Sequence, residues 1–353
     1  MVISLIILFL ICMSLSLIEE RLRDRDKKVL YVLVGVMMIL IAGLREPGST
    51  PDSETYEEMY NGTYNEILQD ITEPSFTFIS FVLNSMSLGV NALFLTYALI
   101  SVTIHMAALW KFSKLPFMTL TIYVSFFYMM HDMVQIRCSV ASGLFIWAMY
   151  FYNQRKKLYT FYCILAGILF HYSAATGFVI FLLDFKIRRW EKIAMYLLIP
   201  VGIVAYSHLD ISSFIPESIG GEKLIAYRKL KDMGLDEEQG GYPLKYHLVI
   251  WLNFVVFYAA LFYEKYLSEK SNYMVLAIKV QAVGFCCLFF LNGVTMILSS
   301  RLNSYFSVAS ILLWTSATYL FAPLQVGKII NSVINFIRFI TSMLFFALSL
   351  YFQ

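Results

Sequence analysis

The chain has 353 residues, of which 59% are hydrophobic and only 14% charged, with 30 Phe, 24 Tyr and 17 Met, whereas soluble globular chains carry about 25% charged residues. Together with a mean hydropathy of +0.69, this excludes a soluble enzyme, a disordered chain and a nucleic-acid-binding module, and it points to an all-α polytopic membrane protein. The net charge of +3 identifies no partner, because the basic residues concentrate in short loops, where they act on topology.

A membrane-spanning helix needs roughly 20 apolar residues. In chain order, runs of that kind fall at 2–18, 29–44, 91–110, 116–131, 134–152, 193–209, 245–263, 273–299, 304–324 and 329–351. The first lacks a basic leader and is followed by Arg21, Arg23, Arg25, Lys27 and Lys28, so it reads as a retained span with its N-terminus outside. Residues 75–89 read as a half-inserted or interfacial helix, since a full crossing there would turn the Lys111–Lys114 loop outward. Residues 158–185 are too long for one span and lie between two basic flanks, Arg155-Lys156-Lys157 and Lys186 to Lys192. Both flanks are cytoplasmic by the positive-inside rule, which predicts a hairpin of two short helices with its apex near His171. Such an apex must be buried in protein or line a cavity.

Counting the hairpin as two, this predicts about twelve crossings in one integral-membrane domain, 1–353, with both termini outside. The loops assigned to the cytoplasm hold 17 of the 27 Lys and Arg. The two long loops, 45–74 and 210–244, carry 8 and 7 acidic residues and read as extracytoplasmic. Cys12, Cys138, Cys163, Cys286 and Cys287 lie in apolar segments without metal-ligand spacing and read as packing residues.

On this topology the ionisable residues converge near the outer leaflet. Arg45 closes the second span, Gln135 and Arg137 follow a turn at His131-Asp132, His171 is the hairpin apex, and Arg301 closes the span before Tyr305-Phe306. Asp52, Glu54 and Tyr56 follow Arg45 directly. Guanidinium groups offer a fixed fork of donors that suits phosphate oxygens, so Arg45, Arg137 and Arg301 together predict an anionic ligand. A polyprenyl pyrophosphate is such an anion at the outer leaflet, and a carboxylate such as Asp52 beside it could accept a proton from a sugar hydroxyl. Each residue also has a structural reading. Arg45 can snorkel or pair with Glu46 or Asp52, Arg137 and Arg301 can pair with Asp132 or a helix end, and His171 can be a polar break. Lys279 reads as a snorkelling lysine, and Arg338, mid-span, has no role from sequence. Asp24-Arg25-Asp26, embedded in a basic turn, reads as a chance match to a metal-binding motif, and Asn61-Gly62-Thr63 is a bare glycosylation sequon.

Gly43-Leu44-Arg45, Pro51-Asp52-Ser53-Glu54-Thr55-Tyr56 and Glu73-Pro74-Ser75-Phe76 together resemble the first extracytoplasmic loop of EpsG-like, Wzy-type O-antigen and capsule polymerases. Gln135-Ile136-Arg137 with Ala141, Arg155-Lys156-Lys157, Leu169-Phe170-His171-Tyr172-Ser173, and Arg301 with Tyr305-Phe306 extend the resemblance in order over residues 43–306. Cys138 departs from it, standing where relatives often carry a polar residue such as Gln. The resemblance implies a GT-C-like glycosyltransferase that joins oligosaccharide repeat units at the outer face of the bacterial inner membrane. Donor and acceptor would both be linked to undecaprenyl pyrophosphate. It implies no cofactor, metal or nucleic acid, and, besides membrane lipids, a possible chain-length regulator as partner. Arg45, Arg137 and Arg301 would hold the pyrophosphate, Asp52 or else His171 would take the acceptor proton, and Tyr56, Gln135 and Tyr305 would contact sugar or phosphate. The loop 210–244, with Gly220-Gly221, Arg228 and Gly240-Gly241-Tyr242, would be a mobile cover. The competing classes are a lipid-linked oligosaccharide flippase, with cations lining a cavity open to both sides, a membrane O-acyltransferase with a catalytic histidine, and a scaffold protein.

Overall fold

The computed structural model describes residues 1–63, 72–209, 225 and 248–351. Among these residues every regular element is helical. Val2–Arg21, Val90–Phe112 and Leu324–Phe345 are each long and apolar enough to cross a bilayer, and two bent helix pairs raise the number to as many as five. Lys157–Phe170, Tyr172–Leu182 and Met274–Phe290 are shorter apolar helices. The chain's contacts divide it into two compact units, Met1–Ala175 with Trp314–Gln353, and Thr176–Leu313.

The first unit contains α1 (Val2–Ile18), α2 (Asp24–Gly43), α3 (Ser53–Asn61), α4 (Pro74–Ser85), α5 (Val90–Phe112), α6 (Pro116–Ile122), a π-helical run (Tyr123–Val134), α7 (Ile136–Asn153) and α8 (Lys157–Phe170). Helix α5 is its centre, packed against α2, α3, α4 and α7. Two glycines let neighbours approach it. A Cβ at Gly43 would lie 2.8 Å from the Leu95 Cα, and one at Gly143 would lie 2.9 Å from the Ile104 Cγ2. The first contact sets the C-terminal end of α2, and with it Arg45, directly on α5.

Two sequence expectations are corrected here. The run 116–131 is not one α-helix, because the backbone switches to π-helical winding at Tyr123 and continues to Val134. His131 and Asp132, read as a turn, are part of this run. Runs of π-helix are rare and favour functional sites, and the buried polar side chains of this one, described below, supply its anchors. The segment 45–74, expected as a long extracytoplasmic loop, contains regular structure. It carries α3, closed by Gly62 at φ +71°, a left-handed conformation that suits glycine.

In the second unit lie α9 (Arg189–His208), α10 (Leu248–Phe262), α11 (Glu264–Lys270), α12 (Met274–Phe290) and α13 (Met296–Ser307); α12 packs on the other four. The expected span 273–299 ends early, at Phe290, because Thr295 starts a new helix by accepting a hydrogen bond from the Leu298 amide at 3.1 Å. Arg301 and Tyr305, assigned to consecutive spans from sequence, therefore share α13. Helix α14 (Ala309–Ala317) continues the chain from one unit to the other, and α15 (Leu324–Tyr351) closes it within the first. Most of the expected cover 210–244, with its glycine pairs, Arg228 and Tyr242, lies outside the described residues.

Candidate functional site in the first unit

The site forms where α2, α3, α4, α7 and the end of α8 present polar groups. Its centre is Glu73. Pro74 opens α4 at a position where a missing amide hydrogen costs nothing, which leaves Glu73 as the capping residue, with an extended backbone. Its carboxylate is fully buried yet engaged through both oxygens. Oε2 accepts a hydrogen bond from Arg137 Nη1, and Oε1 accepts one from His171 Nδ1 at 2.9 Å. One side chain thus ties α4 to the first turn of α7 and to the break after α8.

His171 is that break. Its backbone is extended, at φ −157° and ψ 122°, between α8 and the 3-10 run Tyr172–Leu182. The expected interruption of 158–185 near His171 is observed. With Nδ1 donating to Glu73, a neutral imidazole presents Nε2 as an acceptor, and Ser173 Oγ lies 3.3 Å from it.

Arg137 also donates to the phenol of Tyr56, and its Cζ lies 5.4 Å from the ring centroids of both Tyr56 and Phe76. Tyr56 is also within electrostatic reach of Arg45, so two of the predicted arginines meet about one phenol. Arg45 is 3% exposed. Its Cζ sits 4.0 Å from the Phe94 ring centroid, and Nη1 donates to the Ala42 carbonyl. Nε and Nη2 have no hydrogen-bond partner among the described residues, and neither does Nε of Arg137 or Oε1 of Gln135. Asp52 caps α3 and is half-buried, within electrostatic reach of Arg45.

Arg301 and Tyr305 lie on α13 in the second unit, Tyr305 fully buried with its ring 5.2 Å from that of Phe306. Sequence reasoning missed Glu73 as a site residue, although Glu-Pro ahead of an apolar helix is a legible N-terminal signal.

Behind the site, Asp132 is buried in the π-helical run. It accepts hydrogen bonds from Ser101 at 2.6 Å, Ser139 at 2.8 Å and Tyr123. The Ser142 hydroxyl lies 3.2 Å from His105 Nε2 and 3.0 Å from His131 Nδ1. This network pins the run to α5 and α7 and places a negative charge within electrostatic reach of Arg45. Among the described residues, no three His, Cys, Asp or Glu side chains gather as a metal cage requires.

A family model described as the EpsG family matches residues 28–353. The chain belongs to the EpsG family. Membership makes it a membrane protein of the polysaccharide-polymerase type. No curated protein and no solved structure matches it. The matched residues of this EpsG-family chain include the whole Arg45, Glu73, Arg137 and His171 constellation. In chemical terms, that constellation offers two guanidinium groups with donors to spare, an imidazole oriented by a carboxylate, and aromatic walls.

Proposed function

We propose that the protein joins undecaprenyl-pyrophosphate-linked oligosaccharide repeat units into a polysaccharide of the O-antigen or capsule type. In this reading it works at the periplasmic face of a bacterial inner membrane, in a GT-C-like architecture of about twelve crossings. The observation that carries the proposal is the pair Arg45 and Arg137 about Tyr56, each with a buried guanidinium nitrogen that has no hydrogen-bond partner among the described residues. Buried donors without acceptors are costly, and a diphosphate supplies acceptors in the geometry that guanidinium groups favour.

The acceptor hydroxyl attacks the anomeric carbon of the donor glycan, the new carbon–oxygen bond forms, and the bond to the diphosphate breaks with its electron pair leaving on the phosphate oxygen. Arg45 and Arg137 stabilise the charge that develops there. The acceptor proton passes to a base. Of Asp52 and His171, we assign that role to His171, because Glu73 fixes its tautomer and leaves Nε2 as the acceptor. Tyr56 and Gln135 contact sugar or phosphate.

The test is polymer length in cells carrying single substitutions. Arg137→Ala should leave the protein and the single-repeat glycolipid in place and remove the long-chain ladder; Arg137→Lys should restore it in part, since an ammonium lacks the bidentate fork. A normal ladder from Arg137→Ala would refute the reading. Between the bases, His171→Ala should remove the ladder and Asp52→Asn should shorten it only slightly; the reverse result transfers the role to Asp52.

A further inference from the structure

Glu73 holds the same guanidinium that the leaving group requires. Arg137 directs Nη1 at Glu73 Oε2, although a diphosphate needs that donor during glycosyl transfer. A buried carboxylate in this position is costly unless its partners stay in place, and Glu73 has a second partner, His171 Nδ1, at 2.9 Å. When Arg137 turns away, the carboxylate is therefore not left alone.

We propose that Glu73 is a placeholder anion: the substrate's diphosphate displaces it from Arg137, and its charge is thereby transferred to the service of His171. This rests on the polymerase reading above and deepens it. With the site empty, the charges of Arg137 and Glu73 offset one another beside the imidazole. With the diphosphate on Arg137, Glu73 faces His171 without its cation, so a proton on the imidazole is favoured more than before. The base is strengthened only once the leaving group is gripped. The acceptor proton then moves to His171 Nε2 as the glycosidic bond forms and the diphosphate departs. When the diphosphate leaves the site, Arg137 returns to Glu73 and the imidazole releases its proton to water.

The surrounding groups suit this exchange. Tyr56 on α3 and Tyr97 on α5 are within electrostatic reach of Arg137, and Tyr97 also of Glu73. His131 on the π-helical run is within electrostatic reach of His171, and Ser173 faces its Nε2. Glu73 is thus a positioning residue, acting through Arg137 and His171.

The experiment is a titration of the full-length protein in detergent with inorganic pyrophosphate, read by calorimetry, alongside the cellular polymer ladder. Glu73→Gln removes the competing charge and keeps the side chain's shape. A hydrogen bond to a charged group contributes about 1.5–3 kcal/mol, so Glu73→Gln should bind pyrophosphate roughly tenfold tighter or more while losing the ladder. A merely structural strut predicts equal or weaker binding, and either result overturns the placeholder. If Glu73→Gln is recovered in too low a yield, Glu73→Asp, one methylene shorter, should shift affinity the same way by a smaller factor; unchanged affinity there overturns the proposal too. Arg137→Ala should abolish pyrophosphate binding with either residue at position 73. Binding and ladder that both survive Arg137→Ala would instead refute the polymerase reading itself, so the two failures are distinguishable.

Discussion

Buried lysines and buried arginines are treated differently in this chain. Lys328 in the first unit is fully buried and lies 3.2 Å from Glu19 and 3.6 Å from Glu20. Lys279 in the second unit, also buried, donates to Asp184 and, at 2.9 Å, to Glu191. Each lysine thus has two carboxylates. Arg45 and Arg338 are as deeply buried, yet neither forms an ion pair with a described residue. Arg338 donates through Nη1 to Asn335 at 2.7 Å and lies 4.9 Å from the Trp314 ring centroid, and its Nε and Nη2 have no partner among the described residues. A cation surrounded by carboxylates serves the fold. One with no described carboxylate at ion-pair distance inside an apolar bundle opposes it, and is explained best by what it binds.

The sharpest way to break this contrast is stability. Lys328→Met leaves Glu19, whose Oε2 also caps the Phe117 amide at 2.9 Å, as a buried carboxylate without its cation. The loss should be about 3–5 kcal/mol, seen as a large fall in thermal midpoint in detergent and in protein level in cells. Arg45→Ala should act oppositely. Protein level is retained, and polymer formation falls by about 10²–10³, as when one transition-state donor is removed. Arg338→Leu sharpens the comparison further, because removing an unpaired buried charge should leave stability in detergent unchanged or raise it by up to about 1–4 kcal/mol, as replaced buried ion pairs have shown. A collapse of Arg338→Leu would mean that the ladder Arg338–Asn335–Asn331–Thr318 holds the fold as the lysine pairs do, and the contrast would fail.

Much of this contrast was legible in the sequence, and some was not. The positions of Arg45, Arg137 and Arg338 in or beside apolar runs are visible, because a charge there calls for snorkelling, pairing or function. The interruption at His171 is visible from the basic flanks around 158–185. The partners are not visible. Glu73 lies 64 residues from Arg137 and 98 from His171, and apolar periodicity carries no information about which buried groups meet at such separations. Lys279 reads from sequence as a snorkelling lysine, and its partners Asp184 and Glu191, 95 and 88 residues away, are hidden there. The π-helical run is equally hidden, since Tyr123–Val134 has an ordinary apolar composition and its winding accompanies the bonds that Asp132 and Ser125 make to other helices.

The weakest member of the comparison gives its finest test. Asp184 is the exposed partner of Lys279, with 40% of its side chain in solvent, so Asp184→Asn should cost under about 1 kcal/mol, less than Glu191→Gln on the more buried side of the same lysine. The hydrogen bond from Lys279 holds the Asp184 carboxyl below its ordinary value, which for aspartate is roughly 3.9. The folded state therefore gains from the ionised form at neutral pH, keeps that gain as pH falls to the ordinary value, and loses it as pH passes through the lower folded value. Thermal midpoints measured from pH 7 downwards should show the wild type losing slightly more than Asp184→Asn in that acid range. Identical slopes would mean that Glu191 alone compensates Lys279, and that one buried carboxylate is enough for a lysine to serve the fold.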